Sequence, residues 1–282
     1  LSALSGGKVG QSLAACGHEF KIDPVAANMP ESSSMVTRAP LTAELCETPV
    51  GVTISEAWPL SDLDLGEFGA YRYDAGRATV WIRRPALEPD WEPEALTGPV
   101  LLHALAQRGV FVLHASAARP PGGPLIAFTA ESGAGKSTLA RMATEIGWQR
   151  VGDDLLPLAE RDGQIVALPH LRQPKLADSQ QYPSVAPRAL VLSGLIHVGR
   201  GTKTRFERMS AREAADLCLV STVATRVFAS LSLAAHLAFT ARLADAVAAG
   251  SLIAGRLTVA DRPDDVAGAA LEALEIVGRV AR

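Results

Sequence analysis

The chain has 282 residues, 48% of them hydrophobic and 20% charged, with a formal net charge of −3. That balance suits a folded core of one large or two ordinary domains and excludes intrinsic disorder as the general state. It supplies neither a basic surface for general nucleic-acid binding nor a polybasic membrane anchor, so neither partner is expected.

The three cysteines, Cys16, Cys46 and Cys218, form no CxxC pair. They read as isolated thiols in a reducing, cytoplasmic setting. No signal-peptide pattern is read near Leu1.

Residues 1–40, with Gly6-Gly7 and Pro30 to Ser34, are expected to be irregular. Residues 41–95 read as a small β-rich N-terminal domain. There Tyr71 and Tyr73 alternate with polar neighbours, and Thr79 to Ile82 follows a turn-like Asp74 to Gly76. Pro85, Pro89 and Pro93 punctuate a linker. A P-loop catalytic domain is expected over 96–282, opening with a helix over Leu96 to Gln107.

Val110 to Leu113 is an apolar run of strand length leading to His114-Ala115-Ser116. Pro120 to Pro124 makes a turn, and Leu125 to Phe128 a second strand. Leu139, Met142, Ala143 and Ile146 then recur at helical spacing, with Gly147 placed to end the helix. Asp153-Asp154 follows, and Asp162-Gly163 predicts a hairpin between Leu155 to Ala159 and Gln164 to Leu168.

Leu190 to Val198 and Arg205 to Met209 read as strands around a turn at Gly199 to Thr202. Ser210 with Glu213 forms a capping box. A long buried helix is expected over Ala224 to Ala249; its apolar part, Val227 to Ala241, is too short and too polar to span a bilayer. A strand over Leu252 to Val259 and a terminal helix opened by Pro263, Asp264 and Asp265 complete the pattern.

Ala130-Glu131-Ser132-Gly133-Ala134-Gly135-Lys136-Ser137, followed by Thr138, fits a phosphate loop with alanine at its first position. Gly133 and Gly135 let the backbone curl its N–H groups inward onto phosphate oxygens, and the helix beginning near Lys136 adds its positive end. Lys136 is expected to reach the β and γ phosphates of ATP, and the Ser137 hydroxyl to bind Mg2+. The loop lies between a buried-type strand and an amphipathic helix, the context this motif requires.

Asp153-Asp154 falls where the next strand would end near the phosphates. One carboxylate is read as a Mg2+ ligand and the other as acceptor of a hydroxyl proton. His114 reaches the same place if its strand neighbours the loop strand. His103, His170, His197 and His236 have no such company and read as structural or exposed.

The runs Leu113-His114-Ala115-Ser116-Ala117, Glu131 to Leu139 and Gly152-Asp153-Asp154 together resemble the kinase core of HPr kinase/phosphorylase proteins. The layout is most similar to the smaller HPr-kinase-like proteins, including those encoded with lasso-peptide biosynthetic genes. The resemblance covers about Val110 to Leu158, is softer to Val277, and is absent before about Thr97. It implies an α/β serine kinase of the HPr kinase/phosphoenolpyruvate carboxykinase type, with a mixed sheet and flanking helices. It further implies His114 and the acidic pair around the γ phosphate, Asp154 as general base and Asp153 for metal or hydrogen-bond support, the two roles being exchangeable.

No Gly-Arg-Asn-type loop follows the acidic pair, so the reverse phosphorolysis is not carried over. Nor does the N-terminal unit match the family's regulatory domain, which leaves the oligomeric state open. Arg172 and Lys175, within Pro169 to Leu176, are the candidate substrate-side residues; an ordinary basic surface loop fits them equally. The expected partner is a peptide or small-protein acceptor, with a small-metabolite kinase and a non-catalytic ATP-binding regulator as alternatives.

Overall fold

The computed structural model describes residues 11–15, 18–24, 35–37, 41–45, 48–131, 133–168, 189–262 and 264–280. The chain divides into two compact units: residues 1–110 with 224–236, and residues 111–223 with 237–282.

In the first unit, β1 (Gln11–Ala15), β2 (His18–Pro24), β3 (Val36–Thr37), β4 (Leu41–Leu45), β5 (Thr48–Ala57), β6 (Leu60–Asp64), β7 (Ala70–Asp74) and β8 (Thr79–Arg84) form one sheet. Its order is β1-β2-β8-β7-β6-β5-β3, with β4 also on β5. Within the span 1–40 read as irregular, the described residues include β1 and β2, and β2 runs parallel to β8 and extends the sheet. Tyr71 and Tyr73 are fully buried, and the Tyr71 hydroxyl donates to the Phe68 carbonyl at 2.9 Å. At the β7–β8 turn, Asp74 Oδ1 accepts the N–H groups of Gly76 (2.8 Å) and Arg77 (3.1 Å).

The helical stretch expected over Leu96 to Gln107 starts earlier and belongs to this unit. It comprises α1 (Trp91–Ala95), a wider π-type turn over Leu96–Val100 and α2 (Leu101–Ala106). Gly98 has non-helical torsions and Pro99 lacks an N–H, which accounts for the irregular turn. Trp91 stacks on Phe68 at 4.6 Å. His103 is buried against Ser61 (2.6 Å) and the Val227 carbonyl (2.5 Å), a structural role.

The second unit is a mixed sheet with flanking helices. Its strands are β9 (Phe111–Leu113), β10 (Ala115–Arg119), β11 (Leu125–Ala130), β12 (Gln149–Gly152), β13 (Leu156–Arg161), β14 (Gln164–Ala167), β15 (Leu190–Gly201), β16 (Arg205–Arg208) and β17 (Ile253–Ala260). The order runs β12-β10-β11-β15-β14-β13-β9, with β17 also beside β15 and β16 beside β17. β11, β15 and β17 are mutually parallel, while β10 is antiparallel to β11 and β12. Asp162 and Gly163, at φ 53° and 74°, make the two-residue hairpin turn between β13 and β14.

The predicted strands at Leu190 to Val198 and Arg205 to Met209 are not partners of each other. β15 continues to Gly201, and β17 lies between it and β16.

One face of this sheet carries α3 (Lys136–Glu145) and α6 (Val266–Val280). Ile126, Phe128, Ile196, Val198, Leu257 and Val259 meet Leu139, Met142, Ala273 and Leu274 there. α4 (Ala211–Ser221) begins with the expected capping box, in which the Glu213 N–H donates to Ser210 Oγ and Glu213 Oε2 accepts from the Ser210 N–H. Arg256 alternates with Leu257, so α4 covers the opposite face, where Arg256 meets Glu213 at 3.2 Å.

α5 (Ser230–Ala248) buries one stripe, Ser232, His236, Phe239 and Leu243, and leaves Leu231 and Leu237 exposed. The helix expected to be buried is buried along one side, its stripe following helical spacing. By length and composition alone it is long and apolar enough to cross a membrane, a property that a core helix of a soluble protein shares. Asp265 Oδ1 accepts the Gly268 N–H at 2.9 Å near the start of α6; Pro263 lies outside the described residues. Of the cysteines, Cys218 is fully buried, its thiol pushed up to about 11 by that burial; Cys16 and Cys46 lie outside the described residues.

Phe128 is fully buried at the centre of this core. Phe128→Ala is expected to cost about 3–5 kcal/mol, read as a lowered urea midpoint.

Candidate functional site

Three strands bring the predicted residues together. β10 is hydrogen-bonded between β11 and β12 and runs against both, pairing Ala115 with Thr129 and Ala117 with Gly152. The beginning of β10 therefore lies beside the ends of the other two. His114 precedes β10, Glu131 follows β11, and Asp153-Asp154 follows β12.

The loop has the backbone its sequence demands. Gly133 and Gly135 lie in the left-handed region, at φ 80° and 101°, and the Ala134 N–H donates to the Glu131 carbonyl at 3.1 Å. α3 starts at Lys136 with no side-chain cap among the described residues, so its first N–H groups are placed to meet an anion. A Cβ at Gly135 would lie 3.1 Å from Nη2 of Arg200, so a guanidinium rests against the loop.

Asp154 Oδ1 takes His114 Nε2 at 2.7 Å and Lys136 Nζ at 3.2 Å. The His114 hydrogen bond comes first, with Lys136 after it, in holding this carboxyl well below the usual carboxylate range against the opposing effect of burial. Its backbone is left-handed (φ 71°), a conformation aspartate tolerates better than most residues. Asp153 turns the other way: it is 2% exposed, accepts the Ser116 hydroxyl at 2.5 Å through Oδ1, and pairs with Arg150 through Oδ2.

His114, Lys136 and Asp154 thus form one cluster, with Asp153 beneath it. Ser137 is exposed at the start of α3, and its hydroxyl has no hydrogen bond among the described residues; Thr138 is half-buried beside it. Glu131 and Gly133 are exposed and Ala134 half-buried. Ser132, Arg172, Lys175 and His170 lie outside the described residues.

Sequence reading passed over Ser116, Arg150 and Arg200. Ser116 stands two residues from His114 and Arg150 three before Asp153, spacings that carried a signal. Arg200 has no local signal, because it reaches the loop from β15, the strand paired with β11.

Beside the cluster lies an open cleft of about 550 Å³ on the α4 face of the sheet. His114, Ala130, Glu131, His197, Met209, Glu213, Asp216, Leu217, Val220, Ser221 and Arg256 line it. His197 Nδ1 is 3.3 Å from Thr129 Oγ1; burial first and Arg256 second lower its pKa, favouring neutral imidazole.

No family model matches this chain, and no curated protein does. Among solved structures it is similar to the Hpr(Ser) kinase/phosphatase from Coxiella burnetii at 12% identity, covering 60% of this chain and 98% of that one. The TM-score is 0.30, and at that level the likeness carries no argument.

The geometry predicts the titration of Asp154. Its carboxyl midpoint, followed by carbon NMR, is expected below the ordinary 3.8 and to rise toward it in His114→Ala. Because the folded value is the lower one, the ionised group adds stability above the unfolded pKa. That contribution disappears as pH falls through the lowered midpoint.

Proposed function

We propose that this chain is an ATP-dependent phosphotransferase of the HPr-kinase-like type, acting on a hydroxyl, with serine of a peptide or small protein as the acceptor. The observation that carries this reading is the convergence of His114, Lys136 and Asp154 at the phosphate loop. A site that only bound nucleotide would need the loop and Lys136, but not a carboxylate held by a histidine. The resemblance of Val110 to Leu158 to HPr kinase/phosphorylase proteins supports the same reading, including a lasso-peptide precursor as acceptor.

In this reading the free N–H groups at the start of α3 and the loop hold the phosphates, and Lys136 moves from Asp154 to the β and γ oxygens. Asp154 accepts a hydrogen bond from the acceptor hydroxyl and aims its oxygen at the γ phosphorus. As that O–P bond forms, the bond to the bridging oxygen breaks and ADP leaves.

A carboxylate with so low a pKa is a weak base. It suits a loose transition state, in which the hydroxyl proton departs late, to Asp154 and on to solvent. His114 keeps the carboxylate in place, and Arg150 with Ser116 holds the turn through Asp153.

The cofactor this reading implies is Mg2+. The Ser137 hydroxyl, without a hydrogen bond among the described residues, fits it as a hard oxygen donor at the loop, and Mg2+ commonly keeps waters and phosphate oxygens as its other ligands. Asp153 fits less well, since Ser116 and Arg150 engage both its oxygens. When bound, Mg2+ neutralises phosphate charge.

Mass spectrometry of serine peptides incubated with the chain, ATP and Mg2+ is expected to show phosphate gain. Asp154→Asn should lower kcat about 100-fold or more while ATP binding changes little. Transfer left intact in the Asp153→Asn, Asp154→Asn double variant would sink the mechanism.

A further inference from the structure

The cleft on the α4 face has a chemistry that the phosphate site does not explain. We infer that it is the acceptor subsite, and that it selects hydroxyl acceptors carrying a cationic side chain next to the reacting hydroxyl. This rests on the phosphotransferase reading above.

Position argues for an acceptor over the nucleoside. The cleft is lined by His114, which holds Asp154, and by Ala130 and Glu131 at the entry to the loop. Lys136, Ser137 and Thr138, at the start of α3, are not among its lining residues. A nucleotide whose phosphates sit on that helix end leaves the His114 side to the attacking group.

The lining argues for the charge. Glu213, Asp216, Leu217 and Val220 stand at i, i+3, i+4 and i+7, so one face of α4 presents them together. Glu213 is engaged by Arg256 at 3.2 Å. Glu131 and Asp216 have no ion-pair partner among the described residues. His197, kept neutral, does not offset them.

The cleft is thus negative overall, yet one wall is apolar. Val220 is 81% exposed at its edge, beside the buried Leu217 and Met209. A lysine or arginine fits both features, its stem along Val220 and its head at Asp216. A volume near 550 Å³ accommodates a few residues of peptide.

The test measures binding apart from turnover. Two fluorescein-labelled serine peptides of equal length, one with lysines and one with glutamates flanking the serine, are titrated against the full chain and followed by anisotropy. The wild type is expected to bind the lysine peptide about tenfold more tightly, the size of two partly exposed ion pairs. Asp216→Lys should abolish or reverse that preference, with fluorescent ATP-analogue affinity unchanged within about twofold. Asp216→Asn, with a loss of about threefold, serves if Asp216→Lys does not fold.

Equal binding of the two peptides by the wild type would overturn the inference. So would an Asp216 variant that weakens the ATP analogue and spares the peptide, which would assign the cleft to the nucleoside. Absence of phosphate transfer with the peptide preference intact would count against the phosphotransferase reading instead.

Discussion

The site depends on one strand running against both of its neighbours. Because β10 is antiparallel to β11 and β12, its first residues meet the ends of both, and three distant sequence segments converge without any long loop. The two acids then divide by direction. Ser116 and Arg150 hold Asp153 inside, whereas Asp154, its backbone left-handed, turns out to His114 and Lys136. A one-residue slip of β10 would present the wrong face of the strand to Asp153 and separate these pairs.

That arrangement stores some strain and compensates it locally. A left-handed aspartate costs about 1 kcal/mol, and the hydrogen bond and ion pair to its carboxylate offset that cost. The same contacts lower the pKa of the carboxyl and favour its ionised form. Backbone geometry and charge state therefore have one origin.

Much of the second unit was legible because its signals are local. Asp162-Gly163 encodes a tight hairpin, Ser210 with Glu213 a helix start, and the loop glycines a left-handed backbone. What escaped depends on long-range pairing. The strands at 11–24 are added to a sheet through β8, and β17 inserts between β15 and β16 from fifty residues away. Asp153 and Asp154 are identical in sequence, so their division into a buried and a facing carboxylate emerges only once β10 and β12 are in register. α5 is apolar on nearly every side, and composition alone did not reveal that only one stripe of it is buried.

The approach of Arg200 to Gly135 links two distant positions by volume alone. Any side chain at 135 would strain the backbone, whose φ is 101°, and would ask the tip of the Arg200 side chain to give by a few tenths of an ångström. The loop at 130–137 thus has a neighbour from outside its own strand–loop–helix segment. A side chain added at Gly135 would be felt by a residue 65 positions further along the chain, on β15.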